Sequence, residues 1–83
     1  MKKKKEMWDI IIYPTNNVLQ DSNYYTKCIS EIFKFEPTIS YQILKETFKY
    51  GKGLVTTVFS KNEAIKTRDK LILFGMKSKI HLS

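Results

Sequence analysis

The chain has 83 residues, 42% of them hydrophobic and 28% charged, with one cysteine, Cys28, and one histidine, His81. This length and composition predict one domain over residues 7–83 without a cofactor, and they exclude an intramolecular disulfide and a zinc site of four cysteine or histidine ligands. The formal charge of +7 comes largely from Lys2–Lys5, so we expect a disordered basic tail over residues 1–6 and a mildly basic domain after it.

The first predicted element is a strand over residues 7–13, in which three consecutive isoleucines are flanked by aromatic residues. Because Ile10, Ile11 and Ile12 form a continuous apolar run, we expect this segment to be the central strand of its sheet. A polar loop from Pro14 to Ser22 follows. A strand that enters a polar loop before a helix is typical of a binding site for a small polar group, although turn formation alone would also favour this composition.

Two helices are predicted after the loop. Over residues 24–33 the apolar positions recur at helical spacing, and Asp21 or Ser22 is the natural N-cap. Pro37 fits the first turn of the second helix, and Gly51 fits its end as the left-handed residue that follows the last turn.

A second strand is predicted over residues 54–59, with Leu54, Thr56 and Val58 on one face. Ser60 and Glu63 then match a capping box, which begins a third helix, and the alternation over residues 77–82 indicates a final short strand. The order β-α-α-β-α-β predicts an α+β fold: a three-stranded, mainly antiparallel sheet with three helices packed on one face.

This order and several segments resemble the ClpS family, the adaptors that deliver substrates to the Clp protease of bacteria and organelles. The resemblance extends over residues 8–82 and lies in the segments Trp8–Tyr13, Asn16–Asn17, Tyr24–Phe33, Gly51–Gly53 and Leu71–Met76. It implies a single ClpS-like domain that acts as a monomeric adaptor in the cytoplasm, or in the stroma or matrix of an organelle. We find no catalytic constellation in the sequence and therefore expect no enzymatic activity.

The resemblance also implies a peptide-binding site. In ClpS proteins an asparagine and an aspartate of the loop, with a histidine of the second helix, hold the α-ammonium and the first amide of a substrate peptide. These positions fall here on Asn16, Asn17 and Phe48, and a second loop aspartate falls on Val18. The neighbouring pocket takes a first side chain that is Leu, Phe, Tyr or Trp, and its walls fall on Gln20, Ser22, Tyr25, Leu44 and Thr47.

Two of these positions depart from the family in ways that bear on amine recognition. Asn17 supplies no negative charge, and Phe48 cannot accept a hydrogen bond. Charge-assisted hydrogen bonds contribute roughly 1.5–3 kcal/mol each against about 1 kcal/mol for neutral ones, and a cation–π contact to Phe48 would return about 0.5–2 kcal/mol. The sequence leaves two readings open: altered recognition of N-termini, or a ClpS-like fold that no longer binds them.

The resemblance further implies a partner, the N-terminal domain of a Clp AAA+ unfoldase, which would dock near the third helix at Lys61, Asn62 and Thr67. Two other functions remain open. One is a small basic module that binds nucleic acid or the ribosome through Lys2–Lys5 and scattered lysines, and the other is a phage or mobile-element inhibitor that keeps the adaptor fold. No membrane association is expected, since no apolar run approaches the roughly 18–20 residues that span a bilayer.

Overall fold

The computed structural model describes residues 6–83, so most of the predicted basic tail, including Lys2–Lys5, lies outside the described residues. The elements in chain order are β1 (Trp8–Tyr13), α1 (Asn16–Gln20), α2 (Ser22–Phe33), α3 (Pro37–Tyr50), β2 (Gly53–Val58), α4 (Lys61–Leu73) and β3 (Lys77–Leu82). Between residues 6 and 83, no helix is both long enough and apolar enough to cross a bilayer.

The three strands form one antiparallel sheet in the order β2-β1-β3, which confirms both the predicted α+β class and the central place of the first strand. Side chains alternate across a strand, and those of Ile10 and Ile12 enter the helical layer, where they are 0% and 1% exposed. Burial of an aliphatic side chain of this size stabilises the fold by about 1.5–3 kcal/mol. The helices that cover this face contribute Ile29, Leu44, Ala64 and Leu71 to the same core.

The segment predicted as a loop contains a short helix, α1, so residues 6–83 form four helices and not three. Thr15 precedes this helix, and its hydroxyl accepts a hydrogen bond from the backbone N–H of Val18 at 3.3 Å. Val18 is only 2% exposed and anchors the turn in the core. An N-cap at one end and a buried valine in the middle therefore fold this polar segment into a helical turn.

Helix α3 begins and ends at the predicted residues. Pro37 occupies the first turn of α3, and Gly51 ends that helix with a left-handed backbone at φ +82°. The short connection over residues 34–36 makes α2 and α3 antiparallel neighbours, and the hydroxyls of Ser30 and Ser40 join them at 2.7 Å close to this turn. The start of α2 and the end of α3 consequently lie together at the other end of the pair.

The predicted face of the second strand is wrong for Leu54. Thr56 pairs with Ile10 whereas Leu54 pairs with the next residue, Ile11, so the register shifts by one and Val55 is an extra residue in β2. Such a bulge reverses the alternation on either side of it. Leu54 therefore lies on the face opposite to Thr56 and is 56% exposed.

The start of α4 confirms one half of the predicted capping box, because the Ser60 hydroxyl accepts a hydrogen bond from the backbone N–H of Glu63 at 3.3 Å. The helix is followed by Gly75, whose backbone is left-handed at φ +95°. A side chain at Gly75 would approach the hydroxyl of Tyr25 to 3.1 Å. The turn after α4 is thus packed against α2.

A close approach between β2 and α3 fixes the second half of α3 on the sheet. Gly53 is buried, and a Cβ atom placed there would collide with the hydroxyl of Thr47 and lie 3.1 Å from the carbonyl oxygen of Ile43. The same hydroxyl donates a hydrogen bond to that carbonyl at 2.8 Å. Only glycine leaves room for this arrangement.

Replacement of Gly53 by alanine should lower the free energy of unfolding by about 1–3 kcal/mol, because the new methyl group displaces the Thr47 hydroxyl. In the double variant Gly53→Ala/Thr47→Ala that hydroxyl is absent, so the two substitutions should cost less together than the sum of their separate costs in urea unfolding.

The control is Gly51→Ala, which meets no atom within 4 Å and costs about 1–2 kcal/mol through its left-handed backbone alone. This cost should add to that of Thr47→Ala without coupling. Strict additivity for the Gly53 pair would contradict the packing described here.

Candidate functional site

The residues predicted to bind a peptide lie on three elements: α1, the start of α2 and the second half of α3. The antiparallel packing of α2 and α3 brings the last two together, and the chain leaves β1 directly into the first. The nine side chains differ in exposure. Asn16, Asn17 and Gln20 are exposed, Ser22 and Phe48 are partly buried, and Val18, Tyr25, Leu44 and Thr47 are buried.

The exposed members form a polar surface on α1. The Asn16, Asn17 and Gln20 side chains each carry an amide, which offers one oxygen acceptor and two N–H donors to a ligand. Such groups can pair with the main chain of a peptide. They carry no charge and therefore cannot by themselves neutralise a terminal ammonium.

The buried residues of the predicted site pack in the interior of the domain. Val18, Leu44 and Tyr25 belong to the hydrophobic core, and the Thr47 hydroxyl is satisfied by the carbonyl of Ile43. The Tyr25 ring reaches the turn at Gly75. These side chains hold α1, α2 and α3 in place, while the polar groups of α1 are exposed and the ring of Phe48 is partly exposed.

Asp21, which is absent from the predicted peptide site, provides a negative charge beside these residues. It joins α1 to α2, is exposed, and its side chain makes no capping hydrogen bond to α2. Its backbone N–H donates to the carbonyl oxygen of Asn17 at 3.2 Å, which places it one helical turn after Asn17. The sequence signal was present, but aspartate at this position also reads as an N-cap.

Tyr24 is a second residue that the predicted peptide site did not include. It is 48% exposed, its ring packs edge-on against that of Tyr25 with centroids 5.1 Å apart, and it follows Asp21 by three residues. A hydrogen bond to the Cys28 side chain raises the pKa of Tyr24. Tyr24 adds aromatic surface at the start of α2, where the helical pattern alone indicated a core residue.

Cys28 does not provide a reactive group. Burial raises the pKa of its thiol, so the neutral form is favoured at neutral pH and the nucleophilic thiolate is disfavoured. Within residues 6–83, no three histidine, cysteine, aspartate or glutamate side chains are grouped so that they could hold a metal ion.

The residues predicted to contact a partner protein lie on α4 but do not share one surface. Lys61 and Asn62 are exposed in its first turn, with the Lys61 ammonium 5.5 Å from the centre of the Trp8 ring. Thr67 lies about 140° from Asn62 around the helix. It lines a different depression of about 290 Å³, next to the stacked rings of Phe33 and Phe35.

A groove between α2 and α3 was not predicted. Its volume is about 420 Å³, and it is lined by Asn23, Thr26, Lys27, Pro37, Thr38 and Tyr41. The Thr26 hydroxyl beneath it is buried without a hydrogen-bond partner in the described part of the chain. The helical pattern could not indicate this groove, because the groove depends on how the two helices cross.

Comparison with known proteins gives a result at the level of the fold. No protein-family model and no curated protein matches the sequence. The structure is similar to that of Agrobacterium tumefaciens ClpS2 bound to L-phenylalaninamide, with a TM-score of 0.77 and 9% sequence identity, over 96% of this chain and 100% of the ClpS2 chain. At this identity the similarity establishes that the chain has a ClpS-like fold.

Proposed function

We propose that this protein is a non-enzymatic adaptor that binds the free N-terminus of a polypeptide and presents it to an AAA+ unfoldase of the Clp type. The observation that carries the proposal is the fold shared with ClpS2 over 96% of the chain. The compound bound to ClpS2, L-phenylalaninamide, combines an α-ammonium group, an aromatic side chain and an amide. These are the features of the first residue of a polypeptide.

Asp21 supplies the negative charge that such a ligand requires. It follows Asn17 by one helical turn, so a peptide ammonium placed against the amide oxygen of Asn17 lies near the carboxylate as well. The negative charge of Asp21 acts only on its surroundings. Residues 6–83 as a whole are positive, since they carry eleven basic and eight acidic side chains. At physiological ionic strength, charges beyond about 8 Å are largely screened, so the nearest carboxylate dominates.

The first side chain of the peptide packs against aromatic surface. Phe48 is partly buried against the core and keeps part of its ring accessible at the end of α3, and Tyr24 is exposed at the start of α2. The two helix ends adjoin in the antiparallel pair. Aromatic contacts of this kind favour peptides that begin with Phe, Tyr, Trp or Leu.

The unfoldase docks at the start of α4, where Lys61 and Asn62 are exposed. This surface is separate from α1, so that a bound peptide and the unfoldase occupy different parts of the molecule. Thr67 would contact the unfoldase only if the unfoldase also filled the depression beside Phe33 and Phe35.

Binding of a peptide should require its free α-ammonium group. Fluorescence anisotropy with labelled peptides that begin with Phe or Leu should show binding that Nα-acetylation abolishes. Asp21→Asn should weaken binding of the free peptide by about five- to tenfold, because it removes a partly exposed ion pair of about 1 kcal/mol or slightly more.

The matched control is Glu36→Gln, which removes one exposed negative charge at the opposite end of α2 and also lacks a capping hydrogen bond. It should leave affinity within about twofold of the unchanged protein. Equal binding of acetylated and free peptides, or equal losses in the two variants, would contradict the proposed site.

Restoration of the ClpS residues should strengthen binding. Asn17→Asp adds a carboxylate, and Phe48→His adds a hydrogen-bond acceptor, so the double variant should bind a free peptide beginning with Leu or Phe about tenfold more tightly in calorimetry. The acetylated peptide should gain nothing. Asn62→Asp, which adds the same charge on α4, is the control, and an affinity gain of similar size there would show a nonspecific charge effect.

A further inference from the structure

The face of the sheet that points away from the helices carries a set of residues that the peptide site does not use. Pairing across the strands places eight side chains on this face, which we call the open sheet face: Asp9, Ile11, Tyr13, Leu54, Thr57, Lys77, Lys79 and His81. Lys77, Lys79, His81 and Leu54 are exposed. The surface combines cationic, aromatic and aliphatic groups on a rigid platform.

The charge of the open sheet face is positive. Asp9 is its one acidic member, and that carboxylate accepts a hydrogen bond from the Thr57 hydroxyl at 2.8 Å. Lys77 and Lys79 lie on the edge strand β3, two residues apart and therefore on the same side of the strand. Both lysine side chains are exposed, so their ammonium groups are accessible to an anionic ligand.

Tyr13 lies at the end of the central strand, directly opposite Lys77 in the pairing of β1 with β3. The ammonium groups of Lys77 and Lys79 are each 5.9 Å from the centre of its ring, and its hydroxyl lies 3.4 Å from Nε2 of His81. Proteins that bind single-stranded nucleic acid use this combination: an aromatic ring on which a base stacks, and cations that pair with the neighbouring phosphates.

We propose that the open sheet face binds single-stranded nucleic acid, with a base stacked on Tyr13 and phosphates paired with Lys77 and Lys79. Charge complementarity favours a polyanion, and the aromatic ring beside the two ammonium groups favours one that also presents flat bases. The site is independent of the proposed adaptor function, because none of the three residues belongs to α1, α2 or α3.

The outer face of α3 offers a matched control. Lys45 lies 5.9 Å from the ring centre of Tyr41, and Lys49 lies 5.3 Å from that of Tyr50, so the same residue types make the same contacts. Glu46 lies among them and accepts a hydrogen bond from Gln42, which offsets part of the positive charge. Paired variants on the two faces remove equal charge and leave Lys2–Lys5 unchanged.

Anisotropy with a labelled oligouridylate of about twelve nucleotides, from about 50 to 300 mM salt, tests the proposal. Lys77→Gln/Lys79→Gln should reduce the slope of log K against log salt by roughly 1.4, since each phosphate contact on a single strand contributes about 0.7. Tyr13→Leu should weaken binding by about 5- to 150-fold, and Tyr13→Phe, which keeps the ring, should bind normally.

The control variants Lys45→Gln/Lys49→Gln and Tyr41→Leu should leave the slope unchanged and the affinity within about twofold. Absence of oligonucleotide binding by the unaltered chain would overturn the proposal, as would equal losses on the two faces. Oligoglutamate that binds as tightly, and without dependence on Tyr13, would assign the face to an acidic protein instead. Thermal melts verify that each variant is folded. If Tyr13→Leu does not fold, the salt dependence of binding by Lys77→Gln/Lys79→Gln tests the proposal, because both lysines are exposed.

Discussion

The fold depends on the burial of alternate residues of β1 between two neighbouring strands. Ile10 and Ile12 are almost completely buried beneath the helices, and β1 forms backbone hydrogen bonds along both edges. Because side chains alternate across a strand, this burial also assigns Asp9, Ile11 and Tyr13 to the opposite face. It further sets the point at which the chain leaves the sheet and enters α1. Both candidate surfaces therefore follow from the position of one strand.

The two proposed binding surfaces differ in the sign of the charge that their ligands require. A peptide ammonium needs a nearby carboxylate, which Asp21 provides in a domain that is positive overall, and a polyanion needs the lysines of β3. Screening limits each field to its own neighbourhood, so the two can coexist on a small domain. The close approach of Gly53 to Thr47 keeps the second half of α3, which carries Phe48, on the sheet.

Most of the fold was predictable because its signals are local. The β-branched run of β1 indicated a central strand, and Pro37, Gly51 and Ser60 marked helix ends. Helix α1 was missed because five residues are too few to show a helical period. The bulge at Val55 was missed because a run of β-forming residues looks the same in either register. For the candidate site, resemblance supplied the positions, but only the structure shows that Asn17 is exposed and Thr47 is buried. Asp21 was not predicted there because aspartate at this position is also a natural helix N-cap.

We propose that a free α-ammonium is bound beside Asn17 and Asp21. The isotopically labelled chain can be titrated with L-phenylalaninamide and with its Nα-acetyl derivative while its amide chemical shifts are recorded. The free compound should shift the signals of residues 16–24 and of the end of α3, while the acetylated compound should not. Shifts elsewhere on the molecule, or equal shifts with both compounds, would contradict it.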